Sequence, residues 1–121
     1  MIVASGAATV LLPAPLALPG SRRYPRNVAG KRLLIVYHSQ GGTTQRLAEA
    51  AREAAASEDG VDVVLRRAFA ASIDDLLACD ALLIGSPENL GTMAGAIKNF
   101  FDRTFYPAQG KFDQLPDAVF V

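Results

Sequence analysis

The stretch Leu33–Thr44 constrains this chain more than any other. A continuous apolar run, Leu33-Leu34-Ile35-Val36-Tyr37, passes through His38 into Ser39-Gln40-Gly41-Gly42-Thr43-Thr44 and then into an Ala/Leu/Glu/Arg-rich segment. A run with no polar face suits a strand covered on both sides, as in a parallel sheet. The glycines let backbone N–H groups approach a ligand closely, the hydroxyls add hydrogen bonds, and the helix start adds partial positive charge. Such a junction holds a phosphate without a lysine. An ordinary capped strand-to-helix turn favours the same residue types. Taken alone, the loop indicates an anion at a helix start and no more.

The following residues predict the layers around that strand. Thr44 to about Ser57 reads as a helix with Leu47, Ala51 and Ala54 inward and Glu49, Arg52 and Glu53 outward, stopped by Glu58-Asp59-Gly60. Val61–Arg66 alternates more and reads as a strand near an edge, and Asp74–Ala78 as a short helical turn. Ala81-Leu82-Leu83-Ile84-Gly85 is a third, almost purely apolar strand that enters Ser86-Pro87-Glu88-Asn89-Leu90-Gly91, a loop of turn formers. A helix from about Met93 to Arg103 carries Met93, Ile97, Phe100, Phe101 and Phe105 on one apolar face, and Tyr106-Pro107 ends it. Ala118–Val121 opens a fourth strand. The order β-α-β-(α)-β-α-β predicts a doubly wound parallel sheet, three layers deep. In strand order 2-1-3-4 the two special loops leave neighbouring strands at the topological switch point, where such sheets bind ligands.

Composition narrows the function. The chain has 121 residues, half of them apolar, with 12 basic and 12 acidic side chains. That suffices for one small core and not for two. Arg22, Arg23, Arg26, Lys31 and Arg32 all precede the first acidic residue, Glu49, so the body of the chain is net negative. This argues against a nucleic-acid surface. The single cysteine, Cys79, forbids an intramolecular disulfide and suits a cytoplasmic setting. Ile2–Pro19 is apolar but broken by Pro13, Pro15 and Pro19, and its basic residues follow rather than precede it. Residues 1–30 therefore read as an irregular extension, not a secretory leader or membrane span, and the domain as 31–121.

The two loops together, each preceded by a strand, resemble the flavodoxin-like FMN protein family. The nearer branch is that of NAD(P)H-dependent FMN/quinone reductases, the tryptophan-repressor-binding-protein type. The resemblance rests on Tyr37–Thr44 and on Gly85-Ser86-Pro87-Glu88-Asn89-Leu90-Gly91-Thr92-Met93-Ala94-Gly95, followed by Ile97-Lys98-Asn99-Phe100-Phe101-Asp102-Arg103. It implies that Ser39, Gln40, Gly41, Gly42, Thr43 and Thr44 bind the FMN phosphate. It also implies that Ser86, Pro87, Glu88, Asn89, Leu90, Gly91, Thr92 and Met93 lie along the flavin ring and tune it. NAD(P)H is the implied electron donor and a quinone, flavin or redox protein the implied acceptor. No nucleic-acid or membrane partner is implied, and the chain could form a homo-oligomer.

The match has departures. There is no tryptophan, and the second loop has no aromatic, so a ring-stacking sandwich is not encoded there. The chain ends at the fourth strand, which predicts a C-terminally truncated domain without a fifth strand and with an open sheet edge. A one-electron carrier and a truncated fragment that no longer binds FMN are the rival readings. Dinucleotide and nucleoside-triphosphate motifs are missing, and Ser86 stands where a receiver domain needs an aspartate. His38, the sole histidine, has no sequence partner for base catalysis and reads as packed or solvent-touching. Cys79 reads as buried, Asp74-Asp75 lacks companions for a metal, and Arg46 and Lys98 read as solvated helix charges. No side chain is assigned a catalytic role.

Overall fold

The computed structural model describes residues 30–112 and 114–121; the predicted extension therefore lies, but for Gly30, outside the described residues. The apolar run forms β1 (Lys31–Tyr37), buried from Arg32 onward. It pairs in parallel with β2 (Val61–Arg67) on one side and β3 (Ala81–Gly85) on the other, and β3 pairs in parallel with β6 (Asp117–Phe120). The resulting order, β2-β1-β3-β6, is the one the sequence predicts. Between β3 and β6 lies a separate two-stranded hairpin, β4 (Glu88–Asn89) and β5 (Thr92–Met93).

Strand alternation divides the core in two. Leu33, Ile35, Tyr37, Leu83 and Phe120 pack with Ala48 of α1 (Thr43–Ala56) on one face. On the other, Leu34, Val36, Leu82 and Ile84 pack with Leu76 of α2 (Ile73–Ala78) and with Ile97 and Phe100 of α3 (Gly95–Ala108). This three-layer arrangement is a flavodoxin-like α/β fold. No helix among the described residues is long and apolar enough to cross a membrane.

Both long helices differ in phase from the sequence expectation. α1 turns Thr44, Ala48, Ala51 and Ala55 toward the sheet, while Leu47 is 43% exposed and Ala54 lies beside the contact stripe. Small side chains allow the helix to approach the strands closely, and Leu47 sits about 100° around the axis from Ala48. α3 begins two residues later than predicted and continues through Pro107, which sits in the last turn and forfeits one backbone bond without breaking the helix. Only Ile97 and Phe100 of the five predicted apolar residues are buried; Met93 belongs to β5, and Phe101 and Phe105 are exposed. Five residues at that spacing span more than one stripe of a helix, and the sheet covers only one.

Local chemistry accounts for the remaining elements. Ser72 and Asp75 form a reciprocal capping box at the start of α2, so the acidic pair serves helix initiation. Asp75 is buried beside Arg66 Nε at 3.5 Å, and no cluster of metal-ligating side chains occurs among the described residues. Cys79 is buried, its thiol donating to Leu76 O. Lys98 and Asp102 form an exposed ion pair along α3. Gly85 has a steric reason: a Cβ there would lie 2.3 Å from Cζ of Phe120, whose ring fills that space.

Candidate functional site

The two special loops leave the carboxyl ends of β1 and β3 side by side. The His38 N–H donates to Gly85 O at 3.0 Å, which ties the start of one loop to the end of the neighbouring strand. In the first loop the Ser39 hydroxyl accepts the Gly42 N–H at 3.0 Å, and Gly42 turns the chain at φ +97°, where glycine is favoured. α1 then begins with Arg46 N–H to Gly42 O. No side chain caps its first turn, so the N–H groups of Thr43, Thr44 and Gln45 have no acceptor within the helix. Gly41 is exposed and outside the left-handed region, and a Cβ built on it meets nothing within 4 Å. Neither backbone conformation nor packing within the chain demands glycine there. Uncapped N–H donors, the hydroxyls of Ser39 and Thr43, and open space over Gly41 together fit a phosphate ester, while Thr44 is buried against the sheet.

The second loop is a hairpin rather than an irregular turn. Glu88 faces Met93 and Asn89 faces Thr92, and the turn between them is Leu90-Gly91, both left-handed at φ 52° and 79°. Consecutive left-handed residues make a tight turn of the kind that matches strand twist, normally Asn-Gly. A leucine there holds a strained backbone and a fully exposed apolar side chain at once. Ser86 is the hairpin's base. It is buried, its N–H donates to Phe120 O, its hydroxyl donates to Pro87 O at 2.8 Å and accepts the Ala94 N–H at 2.9 Å. Its hydroxyl is thus committed inside the chain, and Ser86 positions the hairpin from behind. Ser86→Ala leaves the buried Ala94 N–H without an acceptor and is expected to lower stability by about 1–3 kcal/mol. A urea midpoint equal to that of the unmodified protein would contradict this.

A third loop lies at the same edge, between β2 and α2. Ala68 N–H donates to Tyr37 O at 2.8 Å, and Arg103 of α3 reaches over to Ala68 O (Nη2, 2.7 Å) and Ala71 O (Nη1, 2.9 Å) while Asn99 accepts from its Nε. Phe69 is exposed on this loop and meets the His38 ring edge-on at 6.5 Å, the packed and partly exposed position expected for His38. Arg67, the last residue of β2, stacks over the Tyr37 ring at 5.3 Å and donates to Gln45 Oε1 at 2.8 Å. The readable signal was weak: two adjacent arginines at a strand end.

A parallel sheet with an uncapped glycine/hydroxyl loop and a hairpin at the ends of adjacent strands is a flavodoxin-like arrangement. The family profile described as NADPH-dependent FMN reductase matches residues 65–120. A flavodoxin of Aquifex aeolicus is 34% identical over 82 residues, covering 68% of this chain and 44% of the relative. NAD(P)H dehydrogenases (quinone) of Acidithiobacillus ferrooxidans and Syntrophobacter fumaroxidans are each 34% identical over 60% of this chain, and 46% and 48% of their own lengths. The chain thus spans about half the length of the curated relatives it matches. Over these parts the chain is similar to flavodoxin-like FMN proteins, and its parallel sheet has the strand order of that fold.

Proposed function

We propose that the protein is an FMN-dependent oxidoreductase that takes electrons from NAD(P)H and passes them to a quinone or a flavin. One observation carries the reading. The uncapped, hydroxyl-lined helix start after β1 and the Leu90-tipped hairpin after β3 leave strands that are hydrogen-bonded to each other. The Ser39–Thr44 loop would hold the phosphate through backbone N–H groups and hydroxyls. The Pro87–Met93 hairpin would lie along the ring, with the apolar Leu90 side chain keeping water from it and exposed backbone groups orienting its polar edge. FMN, when bound, supplies the electron-transfer chemistry. The polypeptide anchors, orients and desolvates; no general acid or base is required of it. The names of the quinone dehydrogenase relatives support the choice of donor and acceptor, and the absence of any cysteine besides Cys79 supports a cytoplasmic setting.

A second reading, a one-electron carrier, is favoured by the name of the Aquifex relative and by the net negative charge after residue 32. Two measurements decide. FMN added to the purified protein should bind with quenched flavin fluorescence, and the loaded protein should oxidise NADH or NADPH with a quinone present. Binding without turnover would select the carrier, and failure to bind FMN would overturn both readings.

A further inference from the structure

The anion loop has no cation of its own, for Ser39–Thr44 includes no basic side chain. Arg67 stands against both of its ends. The guanidinium lies over the ring of Tyr37, the last residue before the loop begins at His38, and donates to the side chain of Gln45, the third residue of α1. Gln45 is itself fixed, its amide donating to Glu49 Oε1 at 3.1 Å. Two other arginines near this edge are engaged elsewhere. Arg66 faces Asp75 across the opposite side of the sheet, and Arg103 is spent on the carbonyls of Ala68 and Ala71. Arg67 is exposed, and among the described residues it makes no ion pair. A guanidinium held on two sides and lacking a carboxylate is a ready counter-charge for a dianion, and it loses little side-chain freedom on binding one.

We propose that Arg67 is a specificity-determining residue of the flavin site, the cation that makes it select a phosphorylated flavin over the unphosphorylated one. The proposal rests on the FMN reading above and adds to it a residue outside both loops. N–H groups and hydroxyls alone hold a phosphate by local dipoles; Arg67 adds a full charge whose effect reaches across the loop and falls as salt rises. Gln45 is the positioning residue, acting through Arg67.

The test is a comparison of FMN and riboflavin binding, followed by fluorescence, in the full chain and in Arg67→Gln, Arg67→Lys and Gln45→Ala. Arg67→Gln keeps a donor toward Gln45 but no charge, and is expected to weaken FMN about tenfold with riboflavin unchanged. Arg67→Lys keeps the charge but loses the planar stack over Tyr37, and should retain more FMN affinity than Arg67→Gln, with riboflavin unchanged. Gln45→Ala should fall between them. The salt dependence of FMN affinity should flatten in Arg67→Gln, a change that a merely structural clamp would not produce. Equal losses for both flavins would overturn the proposal and make Arg67 a clamp on the loop. Unchanged FMN affinity and salt dependence in Arg67→Gln would overturn it while leaving FMN binding intact. A parent protein that binds neither flavin would overturn the FMN reading and this one with it.

Discussion

Gly41→Asp is expected to lower FMN affinity at least about 100-fold while leaving the fold as stable as before. A side chain at residue 41 enters open space and meets no strained backbone, so the substitution asks nothing of the core. A carboxylate near the start of α1 even interacts favourably with the helix dipole, by roughly 0.3–1 kcal/mol. For a phosphate ester the same carboxylate is a competitor and a repellent. It accepts the N–H groups the phosphate needs and sets like charge beside it. At an effective dielectric constant near 20, two unit charges about 4 Å apart repel by about 4 kcal/mol, and solvent at this exposed site reduces that toward the 2–3 kcal/mol behind the expected loss. Fluorescence titration and thermal melting on one preparation check both halves. Parent-like FMN affinity in Gly41→Asp would place the phosphate elsewhere, and a lowered melting temperature would mean that the fold itself needs glycine there.

Phe100→Ala is the substitution expected to damage the fold most. Phe100 is 0% exposed and joins α3 to the strand residues Leu34, Val36, Leu82 and Ile84. Truncating a fully buried phenylalanine costs about 3–5 kcal/mol through lost transfer energy and the cavity left behind, a large fraction of the 5–15 kcal/mol typical of a whole domain. Phe101, adjacent in sequence and of identical chemistry, is 37% exposed, so Phe101→Ala should cost clearly less than Phe100→Ala. Urea midpoints for the two variants give the comparison. Equal losses would mean that the face of α3 turned to the sheet is not the one described.

That pair also shows where the sequence stopped being readable. The strands were legible because burial on both faces leaves an unbroken apolar run, as in Leu33–Tyr37 and Ala81–Ile84. Strand order and the adjacency of the two loops followed from the alternation of elements. The helices were legible in extent and not in phase. Composition tells that α1 is amphipathic, but a stripe of alanines backing onto a sheet gives no more signal than the neighbouring Leu47, and hydrophobicity alone misassigns Phe101 and Phe105. In the site, the turn residues marked both loops. What they could not mark was the inward commitment of the Ser86 hydroxyl, or the long-range contacts of Arg67 with Gln45 and of Arg103 with Ala68 and Ala71. Those contacts join residues 22 to 35 positions apart, and no local periodicity encodes them.

Leu90 bears on how such a protein evolves. A left-handed leucine at a hairpin tip costs on the order of 1 kcal/mol relative to the asparagine or glycine the turn prefers, and its exposed side chain recovers nothing from the described fold. Selection on thermal stability alone would favour asparagine or glycine there. Leu90→Asn should raise the melting temperature of the ligand-free protein by a few degrees and weaken its hold on flavin, so that a library screened for heat resistance drifts away from cofactor binding one loop tip at a time.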